Sequence, residues 1–212
     1  MRLYTYFRSS TSFRVRIALN LKGFSYESVF VNLKKGEQNS EDFRAINGIG
    51  GVPVLEHNGS RITQSLAIIE YLDSLNSTSS FYLNDPLKNI QMKEYAYAVA
   101  TDIHAVNNLR VLNYLSETLN IDNEARNTWY RHWIDVNFAP LEAKLSIDLA
   151  VPQLPFGKPT LFEIVLVPQV YNALRFEIDM TKYPKILAIY ETCMKLPAFL
   201  NAAPENQADA TA

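Results

Sequence analysis

The 212-residue chain is poor in the side chains that most often mark a metal centre or a disulfide-stabilised fold. It has one cysteine, Cys193, and three histidines. A single cysteine excludes an intramolecular disulfide, and the histidines are not spaced as metal ligands, so we expect no metal. Cys193 lies in a helical, partly apolar segment, which favours a buried structural thiol.

The sequence also lacks a strong charge bias and a long apolar run. The net charge of −2 is unlike the basic footprint of a nucleic-acid-binding protein. No apolar run approaches the ~20 residues of a membrane span. The first residues lead directly into a strand-like segment and have no signal-peptide pattern. We therefore expect a cytoplasmic protein with no nucleic-acid or membrane partner.

What is present indicates two domains. The first 75 residues alternate strand and helix signals, which predicts a small mixed sheet with helices packed on it, an α/β arrangement. A polar, turn-rich stretch at 76–86 predicts a linker. Beyond it the pattern is helical and indicates an all-α region. We predict domains at 1–78 and 86–212, and we expect the last ten residues to be frayed.

Two long helices are predicted in the second domain, over 86–119 and 122–149. After them, Thr160 and Glu163 fit a capping box that opens a helix running through Arg175. These patterns therefore predict that this part of the chain is an all-α domain.

Four consecutive hydroxyl residues lie between the first strand and the first helix. They are Ser9, Ser10, Thr11 and Ser12, and Arg8 precedes them. A helix N-terminus has unpaired N–H groups and a partial positive charge, so it favours anions, a thiolate among them. The alternative is that one of the hydroxyls simply caps the helix.

The segment from Ser9 to Leu19 resembles the zeta-class glutathione transferase signature, Ser-Ser-Cys-x-x-Arg-Val-Arg-Ile-Ala-Leu. Further matches in order and spacing cover nearly the whole chain: Val52-Pro53, Gln64-Ser65, Asp102-Ile103-His104, Asn107-Asn108 and Leu166-Val167-Pro168-Gln169. The resemblance implies a thioredoxin-like glutathione-binding domain followed by an all-helical substrate-binding domain, with glutathione as cofactor. It also implies a homodimer.

The resemblance assigns activation of the glutathione sulfur to Ser9, Ser10 and Thr11, with the two serines ranked above the threonine. Thr11 stands where many zeta-class enzymes have cysteine. Any mechanism that needs a protein thiolate at this position is therefore excluded, and the reactive sulfur is expected to come from glutathione.

The other glutathione contacts are also carried over from the resemblance. A cis Val52–Pro53 bond is implied, with Val52 pairing with the cysteinyl backbone of glutathione. Gln64 and Ser65, at a helix start, are expected to bind the γ-glutamyl carboxylate. Without the family, a strand-start proline and a plain helix cap would be the favoured interpretations.

Four further residues complete the expected cofactor site. Asp102 of the partner subunit is expected to neutralise the γ-glutamyl amine. His104 and Asn108, four apart on one predicted helix, are expected to contact ligand. For these residues and Asn107, an interhelical or subunit-interface network is the alternative. Gln38 is a further candidate.

The sequence departs from the family pattern at Gly48 and Gly51, where the family usually has the proline of an Asn-Pro pair and a glutamine directly before Val-Pro. We expect a more mobile loop and weaker glutathione binding.

Three arginines are predicted to bind the substrate because a guanidinium can grip a carboxylate bidentately. They are Arg8, Arg110 and Arg175, and Arg8 is also expected to act in catalysis. Arg14 and Arg16 are expected to be structural or solvated.

The resemblance implies glutathione-dependent cis–trans isomerisation of a maleyl-type dicarboxylate, either maleylacetoacetate or maleylpyruvate, to its fumaryl product. The alternatives are a general glutathione transferase or peroxidase, and a non-catalytic binding protein with this fold.

Overall fold

The computed structural model describes residues 1–211; Ala212, the last residue of the second predicted domain, lies outside the described residues. The chain forms two compact units. The first comprises Met1–Phe81 together with Met194–Ala212, and the second comprises Tyr82–Cys193. No helix within residues 1–211 is long and apolar enough to cross a membrane.

The first unit is built on a four-stranded sheet of order β2-β1-β3-β4. Its strands are β1 (Arg2–Thr5), β2 (Glu27–Phe30), β3 (Val54–His57) and β4 (Ser60–Thr63). β1 pairs with β2 in parallel, and the other two pairings are antiparallel. The mixed sheet predicted from the alternating signals is therefore confirmed.

Three helices pack on this sheet: α1 (Ser10–Lys22), α2 (Glu41–Ile46) and α3 (Ser65–Leu75). α1 and α3 contact each other. On α2, Phe43 packs with Tyr4 of β1 and Val54 of β3. Since side chains alternate along a strand, Leu3 and Leu55 face the opposite side, and both are fully buried.

A buried ion pair joins the C-terminal ends of α1 and α3. The ammonium of Lys22 lies 2.7 Å from Asp73 and donates to the carbonyl oxygens of Asn76 and Ser79. Asp73 also accepts from the backbone N–H of Phe81. The chain leaving α3 is therefore held to the first unit by charge-assisted hydrogen bonds.

The C-terminal segment returns to the first unit, so the expectation that the last ten residues are frayed is wrong for residues 203–211. It contains α10 (Pro197–Leu200) and two short 3₁₀ helices, Pro204–Asn206 and Ala208–Thr211. The Asp209 carboxylate accepts from the Phe7 backbone N–H at 2.9 Å, and the Asn20 amide donates to the Ala198 carbonyl.

All the regular secondary structure in the described residues of the second unit is helical. Its regular helices are α4 (Pro86–Tyr97), α5 (His104–Asn107), α6 (Leu109–Asn113), α7 (Asn123–Lys144), α8 (Leu161–Arg175) and α9 (Pro184–Met194). The single helix predicted over 86–119 is instead divided by π-helical segments at Ala98–Ile103 and Tyr114–Thr118. The helix predicted over 122–149 ends at Lys144.

The predicted capping box at the start of α8 is confirmed. The Glu163 carboxylate accepts from the backbone N–H of Thr160 at 2.8 Å and from its hydroxyl at 2.5 Å. Glu163 is fully buried, and its second oxygen has no hydrogen-bond partner among the described residues. Burial raises the pKa of this carboxyl to about 7. Burial, with Glu163 nearby, also raises the pKa of the Cys193 thiol, in keeping with a structural role.

Glu163 predicts a pH dependence of stability. The carboxyl has an ordinary pKa of 4.5 and a folded pKa of about 7. Below pH 4.5 it is protonated in both states. Between 4.5 and 7 the unfolded chain loses this proton before the folded one, so stability falls as the pH rises, by about 3 kcal/mol in all. Urea unfolding at pH 5 and pH 8 measures this loss.

The matched control is Glu163→Gln, which keeps an acceptor for Thr160 but does not titrate. We expect the variant to lose less stability than the wild type between pH 5 and pH 8. Parallel losses in the two proteins would contradict the assignment.

Candidate active site

The hydroxyl cluster lies at the start of α1 as the sequence predicts. The helix begins at Ser10, and Ser9 is its N-cap. The Ser9 hydroxyl oxygen accepts from the backbone N–H of Ser12 at 3.2 Å. One hydroxyl therefore performs the capping that helix geometry requires, and the others have different surroundings.

Ser9 and Thr11 form a directed chain of hydrogen bonds that ends on Val52. The Thr11 hydroxyl donates to the Val52 carbonyl at 2.9 Å. A carbonyl oxygen only accepts and a hydroxyl has one hydrogen, so Thr11 must accept in its 3.0 Å contact with Ser9. The order is therefore Ser9 to Thr11 to Val52. The hydroxyl hydrogens of Ser9 and Thr11 are both used within this series of hydrogen bonds. Ser10 is buried, at 7% exposure.

The Val52–Pro53 bond is cis, as the resemblance implied. The preceding loop is held by side chains. Asn47 donates from its amide to the Gly51 carbonyl at 2.8 Å, and Arg44 donates to the Gly48 carbonyl at 3.0 Å.

Close packing against Gln38 requires a glycine at position 50. A Cβ there would lie 2.9 Å from the backbone oxygen of Gln38, and Gly50 has a φ of 67°. The side-chain oxygen of Gln38 is buried and has no hydrogen-bond partner within residues 1–211. It is an available acceptor beside the loop that leads to Val52, which keeps Gln38 a candidate contact.

The start of α3 has the properties of an anion site. Its N-cap, Gln64, makes no capping bond with its side chain, and the first turn carries no acidic residue. Gln64 has a φ of 69°, a strained conformation for a residue other than glycine. The first N–H groups of a helix have no intrahelical partner, so α3 presents donors but no carboxylate of its own.

Ser65, the first residue of α3, is buried and is bonded to a cation. Its hydroxyl oxygen accepts from the Arg14 guanidinium at 3.3 Å. Sequence reasoning expected Arg14 and Arg16 to be structural or solvated; both are buried, so only the solvated alternative is wrong. The sequence signal for this burial was that, apart from these two arginines, every residue from Phe13 to Leu19 is apolar. The two arginines therefore lie on apolar faces of α1 and not on a polar, solvated one.

The predicted cofactor residues of the second unit do not share a regular helix. Asp102 is exposed, lies in a π-helical segment and accepts from the Thr101 hydroxyl at 2.9 Å. His104 begins α5, whereas Asn108 is extended and caps α6 by accepting from the Val111 N–H. The prediction of one continuous helical face for His104 and Asn108 is therefore wrong, because Asn108 interrupts the helix. Their roles as ligand contacts stay predictions.

Asn107 has the network role that was weighed as the alternative. It is buried, and its amide donates to the Tyr130 carbonyl of α7 at 3.2 Å.

The three arginines predicted to bind substrate are all exposed. The Arg8 guanidinium carbon lies 5.0 Å from the centre of the Phe7 ring, and that of Arg175 lies 4.9 Å from the Phe176 ring. Arg110 lies on α6. Each is accessible to a carboxylate, and their substrate contacts stay predictions.

Comparison with known proteins places this arrangement in a family. Residues 1–74 match the N-terminal domain of glutathione S-transferases. A probable maleylacetoacetate isomerase from Vibrio cholerae is 45% identical over 210 residues, which is 98% of this chain and 97% of that protein.

Solved structures agree. The holo structure of a bacterial zeta-class maleylpyruvate isomerase superposes with a TM-score of 0.94 at 42% identity, covering 99% of each chain. The chain belongs to the zeta class of glutathione transferases. A maleylacetoacetate isomerase from Methylobacterium extorquens AM1, solved with malonate and glutathione bound, gives a TM-score of 0.91 at 32% identity over 98% of each chain.

As a zeta-class glutathione transferase, this chain offers candidate partners for three parts of glutathione, and their roles stay predictions. The start of α1 suits the sulfur, since a helix N-terminus favours a thiolate. The backbone of Val52 is fixed by Thr11. The start of α3 and Ser65 suit a carboxylate. All of these lie within the first unit.

The direction of the hydroxyl chain predicts the effect of Thr11→Val. Since the Thr11 hydrogen donates to Val52, it is not available to a sulfur, and we expect the pKa of bound glutathione to change little. Affinity for glutathione should fall less than about tenfold, the worth of one hydrogen bond. Thiolate absorbance against pH and calorimetry measure the two quantities.

Thr11→Ser, which keeps the hydroxyl, is the matched control. A large rise in the thiol pKa in Thr11→Val but not in Thr11→Ser would show instead that Thr11 acts on the sulfur.

Proposed function

We propose that the protein is a glutathione-dependent cis–trans isomerase of a maleyl-type dicarboxylate, either maleylacetoacetate or maleylpyruvate. The observation that carries the proposal is the hydroxyl-rich start of α1, joined by a hydrogen bond to the cis-proline segment at Val52. The names of its full-length relatives support the same reaction.

Glutathione, when bound, supplies a thiolate that adds reversibly to the activated double bond, so that the bond is single while rotation occurs and double again on release. The chain's own task is to favour that thiolate. The N-terminus of α1 stabilises negative charge there through its unpaired N–H groups and partial positive charge. Thr11 occupies the position where many zeta-class enzymes have cysteine, so this position offers no protein thiol. The proposed reaction uses the sulfur of glutathione instead.

The substrate's carboxylates require cations. In this proposal Arg8, Arg110 and Arg175 bind them and stabilise the negative charge that develops next to the substrate carbonyl. Their exposure keeps them hydrated until a diacid arrives. That a relative binds malonate, a dicarboxylate, together with glutathione supports this chemistry. The cytoplasmic location expected from the sequence belongs to the same proposal.

The proposed reaction predicts that maleylacetoacetate or maleylpyruvate is lost only when glutathione is present. The absorbance of the substrate measures this loss. We expect Arg8→Ala to lower kcat/KM for the diacid at least about tenfold, since a carboxylate loses its charge-assisted partner. Arg2→Ala, which removes an exposed arginine of β1, is the control and should leave the rate unchanged.

No glutathione-dependent loss of either cis substrate would overturn the proposal. Faster turnover of chloroacetates or hydroperoxides, unaffected by Arg8→Ala, would favour the general transferase or peroxidase.

We further propose that the protein acts as a homodimer that pairs through α4. This helix exposes large apolar side chains: Leu87 is 79% exposed and Ile90 is 62% exposed, three residues apart on one face. Exposed apolar side chains of this size are typical of an interaction surface. A dimer would also supply Asp102 of the partner subunit to the γ-glutamyl amine.

The dimer predicts that Ile90→Glu weakens self-association, because a charge would be buried at the apolar contact. Sedimentation equilibrium should show two chains for the wild type and one for the variant. Leu149→Glu, at another exposed leucine, is the control and should remain dimeric. If the wild type sediments as one chain at micromolar concentration, the dimer proposal fails.

A further inference from the structure

Two buried arginines of α1 have very different surroundings. The Arg16 guanidinium makes four hydrogen bonds: to the Ala202 carbonyl at 3.0 Å, the Thr5 hydroxyl at 3.1 Å, the Tyr6 carbonyl at 3.3 Å and the Phe7 carbonyl at 3.1 Å. Asp209 offsets part of the effect of burial on its pKa. Four of its five N–H groups therefore donate to other parts of the fold.

Arg14 is as deeply buried, at 2% exposure, but makes one hydrogen bond, to Ser65. Its Nε and Nη2 atoms are enclosed and have no hydrogen-bond partner within residues 1–211. Burial lowers the pKa of the guanidinium to about 10, and no carboxylate in the described part of the chain offsets that burial. Arg14 is therefore charged at neutral pH and lacks a counter-ion among the described residues.

A buried, unpaired cation is costly to the fold, because its hydration is lost without a compensating partner. A structural role alone would be served by an apolar side chain of similar size. A buried charge at this position is explained if an anionic ligand binds close to Arg14.

The place where that anion binds is indicated by Ser65. The hydroxyl oxygen of Ser65 accepts from Arg14, which leaves its own hydrogen to donate. A hydroxyl that accepts from a cation is a stronger donor. Ser65 also begins an 11-residue helix whose N-terminus has no side-chain cap. The helix dipole, the Ser65 hydroxyl and the Arg14 charge thus favour negative charge at the same end of α3.

We propose that Arg14 is a positioning residue for the α-carboxylate of the γ-glutamyl part of glutathione. It supplies the counter-charge from within the protein and acts through Ser65, which donates to the carboxylate. This inference rests on the proposed function, since it requires glutathione as the ligand. It assigns to Arg14 a role separate from the substrate arginines, which are exposed.

The test removes the charge from the protein and the carboxylate from the ligand in turn. Calorimetry at pH 7 compares glutathione with 4-aminobutyryl-cysteinyl-glycine, which lacks only that carboxylate. For the wild type we expect a clear preference for glutathione. In Arg14→Met the preference should fall about tenfold or more, as expected for loss of a buried charge interaction. Binding of the analogue should change little.

Ser65→Ala tests whether Arg14 acts through Ser65. If it does, Arg14→Met should reduce the preference less in the Ser65→Ala background than in the wild type. Arg2→Met, which removes an exposed cation from the same unit, is the control and should leave the preference unchanged.

The outcomes separate the two proposals. If the wild type does not bind glutathione, the proposed function fails. If it does, and a folded Arg14→Met keeps the full preference, the role of Arg14 alone is overturned. Should Arg14→Met not fold, Arg14→Lys decides: a preference within about threefold of the wild type supports a role for the charge, and its loss argues against one.

Discussion

The position of the candidate site depends on the buried guanidinium of Arg16. It donates to the carbonyls of Tyr6 and Phe7, at the end of the first strand region, and to the Ala202 carbonyl of the C-terminal segment. The Phe7 N–H is held in turn by Asp209. Charge-assisted hydrogen bonds are the strong ones, so the turn that carries Arg8 and the hydroxyl cluster is fixed to the fold just before its functional residues begin.

Local signals in the sequence predicted the parts of the fold that local chemistry determines. The capping box of Thr160 and Glu163 opens α8, and a hydroxyl of the Ser9–Ser12 run caps α1. The interruptions between Ala98 and Thr118 were not predictable, because neither proline nor glycine marks them. The return of the C-terminal segment also escaped prediction, since it depends on contacts with residues nearly 190 positions away, such as Arg16 to Ala202.

In the candidate site, too, local motifs were predictable from the sequence, whereas contacts between distant residues were not. Family motifs located the starts of α1 and α3 and the cis proline, but they did not define the task of each hydroxyl. The role of Thr11 depends on where the Val52 carbonyl lies, and only the fold sets that. Likewise Asn107 and Asn108 are adjacent and chemically identical, yet one is buried against α7 and the other caps α6. Sequence spacing on an assumed helix cannot distinguish them.

Arg14 and Arg16 show how one helix serves both ends of the expected cofactor. Residues two apart on an α-helix are separated by about 200°, so the two side chains leave α1 in nearly opposite directions. Arg16 reaches the first strand and the C-terminal segment, while Arg14 reaches Ser65 on α3. The N-terminus of the same helix carries the hydroxyl cluster. In the proposed site, the sulfur end and the carboxylate end are therefore both positioned by one rigid helix, so their separation does not depend on a loop.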